Sequence, residues 1–318
     1  MNINVGFMEL NGVVEQLKEL KAKRVFIQFP LGLKDQRIQD IAKSLEKEGF
    51  EPVLCIEATY GACDIRDAEA ERLECDAILQ IAHVDFGVKS EIPVVYWPYF
   101  LESDPISILE KEFHKLDNYK KIGLIGSLQY IDKISEIKHY LEKKGKKVFV
   151  AEVEGVKYPG QILGCRLKSG KVIEDKVDMF LCVSAAKFYG LGLILNTDKP
   201  MLTLDVERKE ITNIDEEKKR IQKIIAWNKS AFKDAKRVGI LVSFKKGQLV
   251  MPYAIKNYLE KKLKKEAYIL AGDEITQEKI MGLKLDFLVN TMCPRVGTDD
   301  TERFEIPMLN FDQIARVK

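Results

Sequence analysis

Six cysteines punctuate this 318-residue chain, and three of them stand where packing does not explain them. Cys63 lies in Thr59-Tyr60-Gly61-Ala62-Cys63-Asp64, Cys165 in Gly160-Gln161-Ile162-Leu163-Gly164-Cys165, and Cys293 in Asn290-Thr291-Met292-Cys293-Pro294-Arg295. Each stretch follows an apolar run and carries glycine or proline near the cysteine, the mark of a loop at the carboxyl end of a strand, where sites are built. Cys55 and Cys182 instead sit inside strand-like runs, Val53-Leu54-Cys55-Ile56 and Phe180-Leu181-Cys182-Val183, and Cys75 at a helix-to-strand junction. These three read as small core hydrophobes. Three thiolates gathered at one centre suit an iron–sulfur cluster whose fourth iron is left open.

The spacings exclude commoner sites. There is no C-x2-C pair for a zinc ribbon or a ferredoxin-type cluster, and no C-x3-C-x2-C run. A phosphate-cradling G-x-x-x-x-G-K-[ST] and a dinucleotide-binding G-x-G-x-x-G are also absent. Of the three histidines, His114 and His139 fall on charged helix surfaces, and His83, in Ala82-His83-Val84-Asp85, reads first as a satisfied structural histidine.

Composition narrows the partners. Hydrophobic residues at 46% and charged residues at 31% describe a soluble globular chain. The 51 basic and 49 acidic residues nearly cancel, which gives no electrostatic reason for nucleic acid as a partner. The run Lys261-Lys262-Leu263-Lys264-Lys265 reads as a solvated helix face. Met1 to Leu10 lacks the pattern of a signal peptide, and the longest apolar run, Met179 to Ala186, is too short to span a bilayer. The expectation is a cytoplasmic protein with reduced cysteines, binding neither membrane nor nucleic acid.

The elements that must position these residues are written three times. The copies open at Arg24-Val25-Phe26-Ile27, Lys121-Ile122-Gly123-Leu124-Ile125 and Arg237-Val238-Gly239-Ile240-Leu241, and they close on Pro93, Pro200 and Pro307 at one equal interval. A helix precedes each opening strand (Met8 to Lys21, Ile106 to Leu116, Glu216 to Phe232). An amphipathic helix follows it, ending on Leu45-Glu46-Lys47-Glu48, Leu141-Glu142-Lys143-Lys144 and Leu259-Glu260-Lys261-Lys262. Gly49 and Gly145 supply helix stops. Second strands (Pro52 to Ile56, Lys147 to Val150, Ala267 to Leu270), third strands (Asp76 to Ile81, Asp178 to Val183, Asp286 to Asn290) and the proline-led fourth strands complete each copy. Apolar strands alternating with helices predict parallel sheets covered on both faces. The fold expected is therefore α/β: three similar domains over 1–104, 105–212 and 213–318, each a small, mainly parallel four-stranded sheet flanked by helices, arranged around a central site. Loops after the first strands, Gln28 to Leu33, Gly126 to Gln129 and Ser243 to Gln248, are the natural ligand-binding turns.

Tyr60-Gly61-Ala62-Cys63-Asp64, Gly160-Gln161-x-Leu163-Gly164-Cys165 and Cys293-Pro294-Arg295, with Phe29-Pro30-x-Gly32-Leu33 and Gly247-Gln248, resemble the motifs of archaeal diphthamide synthase over nearly the whole chain. The resemblance implies a 2-(3-amino-3-carboxypropyl)histidine synthase, a homodimer binding a [4Fe-4S] cluster through one cysteine per domain: Cys63, Cys165 and Cys293. It implies cleavage of the Cγ–S bond of S-adenosylmethionine, using an external electron donor, and transfer of the 3-amino-3-carboxypropyl group to a histidine imidazole carbon of translation elongation factor 2, with methylthioadenosine released. Gln28, Gly32, Ser127, Gln129, Gly247, Gln248 and Arg295 are then expected to line the S-adenosylmethionine pocket. Arg295 would pair with the methionine carboxylate, its alternative being a structural ion pair. Where many members carry histidine, this chain has Val88 and Tyr189. Two other readings are a quinolinate-synthase-like dehydratase, also built from three α/β domains and three cysteines, and a non-catalytic α/β ligand-binding protein.

Overall fold

The computed structural model describes residues 10–185, 188–248 and 251–314. The chain divides into two compact units, Met1–Ile214 and Asp215–Lys318.

In the first unit, β1 (Arg24–Gln28), β2 (Glu51–Leu54), β3 (Ala77–Ile81) and β4 (Val94–Trp97) form a parallel sheet in the order β2-β1-β3-β4. Its inner strands β1 and β3 are largely apolar because both their faces are covered, the buried exceptions being Gln28 and Gln80 near their carboxyl ends. Val25, Ile27, Leu79 and Trp97 pack into one core, while Phe26, Ile78, Cys55 and Cys75 pack into the other. A second sheet in the same unit holds β5 (Lys121–Gly126), β6 (Lys147–Phe149), β7 (Met179–Ser184), β8 (Met201–Asp205) and β9 (Glu210–Asn213), in the order β6-β5-β7-β8-β9.

Here the structure departs from the four strands expected. β9 folds back antiparallel on β8, and its outer edge is closed by side chains. Glu112 accepts the Ile211 N–H at 2.6 Å and Lys115 donates to the Ile211 carbonyl at 2.6 Å. An edge strand satisfied in this way does not invite another chain.

The second unit carries β10 (Arg237–Ser243), β11 (Glu266–Gly272), β12 (Phe287–Asn290) and β13 (Met308–Asn310), again parallel and in the order β11-β10-β12-β13. Val238, Ile240 and Phe287 lie in its core on one face, and Leu241, Leu288 and Met308 on the other.

Helices fall at Leu10–Glu19, Gln36–Lys47, Pro105–Glu112, Ile134–Lys143 and Asp215–Asp234, close to their expected bounds; the expected start at Met8 and the end of the apolar run at Ala186 lie outside the described residues. Gly49 (φ 89°) and Gly145 (φ 81°) end their helices in the left-handed conformation, and in the third copy Lys264 takes it at φ 56°. Each central strand is also anchored at its start by an aspartate. Asp76 accepts the N–H groups of Lys23 and Arg24 at 2.7 and 2.8 Å. Asp178 accepts those of Lys120 and Lys121 at 3.0 and 2.8 Å. Asp286 accepts those of Lys236 and Arg237 at 3.1 and 2.7 Å. No helix among the described residues is long and apolar enough to cross a membrane.

Candidate functional site

The ladder between β1 and β2 ends where Cys55 N–H meets the Ile27 carbonyl at 2.9 Å, and the chain then turns through the Cys63 loop. Gln28, the last residue of β1 and fully buried, continues the pairing with its side chain. Its Nε2 donates to the Asp64 carbonyl at 2.9 Å and its Oε1 accepts the Arg66 N–H at 3.0 Å. On the neighbouring strand, Gln80 donates to the Gly61 carbonyl at 3.2 Å. Its own Oε1 is buried without a hydrogen-bond partner among the described residues. Below the loop Asp64 and Arg66 form a buried ion pair at 3.8 Å. His83 Nδ1 lies 3.5 Å from Gln80 Nε2, and burial pushes the imidazole down to about 4, so it is neutral at pH 7.

The Cys165 loop docks beside the end of β5. Gly126 and Gln161 form a parallel bridge, with Gly126 N–H donating to Gly160 at 3.0 Å and Ile162 N–H to Gly126 at 2.9 Å. Gln161, buried, accepts the N–H groups of Lys157 and Tyr158, each at 3.2 Å. The helix Phe188–Ile194 crosses so closely that a Cβ on Gly192 would lie 2.4 Å from the Gly164 carbonyl oxygen. Arg166 ties this loop to the segment after β3: it donates to the Phe86 carbonyl at 2.6 Å and its guanidinium stacks 4.3 Å from the Phe86 ring. The Phe86-Gly87-Val88 segment thus lies beside the Cys165 loop, and Val88 packs into the first sheet's core. Tyr189 donates through its hydroxyl to Gln129 Oε1 at 3.3 Å. Ser127 is buried and its Oγ has no hydrogen-bond partner among the described residues. Gly32 is exposed, and a Cβ there would meet nothing within 4 Å.

In the second unit, side-chain amides hold Cys293 on both sides of its own peptide. Gln248 Oε1 accepts the Cys293 N–H at 3.2 Å, and Asn290 Nδ2 donates to the Cys293 carbonyl at 2.9 Å. Asn290 also donates to Asn310 Oδ1 at 2.6 Å, and Asn310 donates to the Pro294 carbonyl at 3.0 Å. Arg295 is half-buried and donates through Nε to Asp299 at 2.9 Å, so the ion pair foreseen as its alternative role is present. Gly247 is exposed. Gln80, Arg166, Asn290 and Asn310 were not singled out from sequence as site residues; polar side chains at the ends of otherwise apolar strands were the available signal for three of them.

None of the six cysteines is in a disulfide, and burial divides them as the sequence did: Cys55, Cys75 and Cys182 are buried, Cys63 and Cys293 half-buried, and Cys165 exposed. Burial pushes the Cys182 thiol up to about 12 and raises Cys55 and Cys75 too, leaving all three protonated and inert. Cys165 is exposed as a residue, yet desolvation around its sulfur raises the thiol, and Arg166 offsets part of that rise. Neither unit taken by itself groups three His, Cys, Asp or Glu side chains that could hold a metal among its described residues. Cys63 and Cys165 belong to the first unit and Cys293 to the second. The donor set suits iron and sulfur: three thiols in strand-end loops, each set in backbone held by side chains.

The sequence profile of the diphthamide synthesis protein family matches residues 29–315. The 2-(3-amino-3-carboxypropyl)histidine synthase of Pyrococcus horikoshii is 33% identical over 303 residues, covering 93% of this chain and 86% of that protein. Subunit 1 of the Saccharomyces cerevisiae 2-(3-amino-3-carboxypropyl)histidine synthase is 25% identical, covering 95% of this chain and 72% of that one. Among solved structures, the crystal structure of Dph2 from Pyrococcus horikoshii with 4Fe-4S cluster superposes with a TM-score of 0.90 at 29% identity, over 98% of this chain and 91% of that chain.

Proposed function

The chain belongs to the diphthamide synthesis protein family, and from that membership we propose that it carries out the first step of diphthamide formation as a 2-(3-amino-3-carboxypropyl)histidine synthase. Its substrates are S-adenosylmethionine and a histidine of translation elongation factor 2. The Cγ–S bond breaks, a bond forms from that carbon to an imidazole carbon, the imidazole loses the proton it carried there, and methylthioadenosine leaves. An imidazole carbon is a poor nucleophile, so the carbon transferred must be made reactive rather than merely held close. Cys63, Cys165 and Cys293 would hold a [4Fe-4S] cluster, which when bound would supply one low-potential electron to the cationic sulfonium and take one back as the imidazole adduct gives up its proton, so that the transfer is redox-neutral overall.

The rest falls to the chain. Which sulfonium bond faces the electron is an orientation effect, set by the loops that grip the nucleoside and amino-acid ends. Gly32 and Gly247, exposed and without side chains, allow close backbone approach. Ser127 and Gln129 offer a hydroxyl and an amide at the end of β5, with Tyr189 bound to the latter. Arg295, steadied by Asp299, presents its guanidinium to the methionine carboxylate. The three-domain division at 104/105 and 212/213 around a central site, the homodimer and the external electron donor complete the proposal.

One observation carries the reading: the cysteines at strand ends are the accessible ones, and the cysteines in strand-like runs or at the helix junction are buried. The test is anaerobic incubation of reduced protein with S-adenosylmethionine and elongation factor 2, followed by mass spectrometry of the factor and chromatography of the nucleoside. The expected result is a 3-amino-3-carboxypropyl adduct on histidine with methylthioadenosine in equal amount. An unmodified factor, or 5′-deoxyadenosine in place of methylthioadenosine, would overturn it.

A further inference from the structure

We infer that Gln28 and Gln248 are positioning residues that clamp the first and third cysteine loops, rather than contacts to S-adenosylmethionine; this rests on the reading of Cys63 and Cys293 as cluster ligands. Gln28 is a polar side chain at the end of a central strand with no exposure to solvent. An amide so placed is costly unless both its ends are bonded. Both are, at 2.9 and 3.0 Å, to the backbone of Asp64 and Arg66. These lie immediately beyond Cys63, where the β1–β2 ladder has ended and no strand is left to hold the chain. Gln80, its register partner on β3, grips Gly61 on the other side of the cysteine. Cys63 is therefore set between two side-chain clamps from the ends of adjacent strands.

The second unit reaches the same result with different residues. Gln248 takes the N–H of Cys293 and Asn290 its carbonyl, so the peptide on each side of the thiol is fixed by an amide. The Cys293 N–H is thus engaged by the Gln248 side chain. Hydrogen bonds to cluster sulfurs help set reduction potential, so Gln248 bears on the electronics of this ligand as well as its place.

The experiment uses full-length protein with three variants. Gln28→Glu keeps the acceptor for Arg66 N–H and removes the donor to Asp64; Gln28→Leu removes both; Gln248→Ala, at a half-exposed position, remains informative if a Gln28 variant fails to fold. Without cluster, amide hydrogen exchange at Arg66 (in Gln28→Leu) and at Cys293 (in Gln248→Ala) should accelerate about tenfold, the scale of one lost hydrogen bond. With cluster, iron loss to a chelator should quicken about 10-fold or more, as for other outer partners of metal ligands, with Gln28→Glu milder than Gln28→Leu. In Gln248→Ala the electron paramagnetic resonance spectrum of the reduced protein should change shape, while KM for S-adenosylmethionine holds and kcat falls. A raised KM with unchanged amide exchange and iron retention would make these residues substrate contacts and overturn the clamp. Cys63→Ala in parallel separates the two failures. Full iron retention there overturns the cluster reading and the clamp with it, whereas iron loss there beside unaltered glutamine variants overturns the clamp alone.

Discussion

Replacing Gly297 by alanine should loosen the Cys293 loop without touching the cysteine. Gly297 lies in the tight turn after Cys293, where Val296 N–H donates to the Cys293 carbonyl at 3.0 Å and Gly297 N–H to the Pro294 carbonyl at 3.2 Å. Its φ is not in the left-handed region, so the glycine is there for space. A Cβ would lie 2.1 Å from Asn310 Oδ1 and 2.6 Å from Asn310 Cγ. The amide of Asn310 cannot swing away freely, because it is buried, accepts from Asn290 at 2.6 Å and donates to Pro294 at 3.0 Å. Breaking those two bonds costs about 1 kcal/mol each, and forcing a methyl into a filled space costs about 1–3 kcal/mol. Partial relaxation makes the two overlap, giving a loss of about 2–4 kcal/mol, a large share of the roughly 5–15 kcal/mol that holds a typical domain together. Gly32→Ala, where a Cβ meets nothing within 4 Å, is the control and should change stability by less than about 0.5 kcal/mol. Urea unfolding followed by circular dichroism gives the global figure, and amide exchange at Val296 and Thr298 localises it. If Gly297→Ala unfolds within about 0.5 kcal/mol of the parent and those amides keep their protection, the clamp of Asn290 and Asn310 on this loop is not what holds it.

Three further expectations concern the thiols, the strand anchors and one strained turn. Alanine at Cys63, Cys165 or Cys293 should sharply lower iron content and abolish methylthioadenosine formation, whereas alanine at Cys55, Cys75 or Cys182 should cost on the order of 1 kcal/mol and leave iron in place; a Cys182 variant that loses iron beside a Cys293 variant that keeps it would refute the sorting. Asp286 is held at about 2, below its ordinary 3.8, by the Arg237 side chain first and by backbone N–H groups next. Its contribution is therefore whole above pH ~4 and lost as pH falls through ~2, so the acid limb of a stability–pH curve should flatten in Asp286→Asn; an unaltered limb would place the acid sensitivity elsewhere. Lys264, at φ 56° where the other copies have glycine, should give about 0.5–1 kcal/mol of added stability on Lys264→Gly, read as a higher urea midpoint; a lower midpoint would mean that the lysine's contacts outweigh its backbone strain.

The parts of this molecule visible in its sequence are those whose physics is local. Strands buried on both faces must be apolar at every position, so Val25-Phe26-Ile27 and Val238-Gly239-Ile240-Leu241 announce themselves, and the helices show their spacing and their glycine stops. β9 was missed because it holds one apolar residue, Ile211, and its place depends on pairing with β8 and on Glu112 and Lys115, far away along the chain. The cysteines could be sorted because their neighbours differ: strand residues around Cys55 and Cys182, turn residues around the other three. What a glutamine does could not be sorted in that way. Gln28, Gln161 and Gln248 all stood in recognisable motifs, but an amide serves a ligand or a loop equally well by composition, and only the position of its two ends decides.

The repeat also shows why equivalence fails where chemistry is done. Within a strand, a residue is constrained by a ladder on each side and a core on each face, so three copies keep the same kind of side chain. Past the last ladder bond these constraints stop together, and a loop may carry whatever its side-chain clamps can hold. In the first two sheets the loop after the second strand bears the thiol. In the third, the loop after β11 holds Asp273, bound twice by the buried Lys245 Nζ, at 2.8 Å through its carbonyl and 2.8 Å through its carboxylate. There the thiol follows the third strand instead. The corresponding place in the first sheet holds His83, neutral and tied to the same glutamine that grips the Cys63 loop. A third cysteine could move from one strand end to another because Asn290, at the end of β12, and Gln248, in the turn after β10, could fix its peptide there as Gln28 and Gln80 fix the first loop. The scaffold repeats because cores and ladders demand it; the thiols are placed by amides, which do not have to repeat.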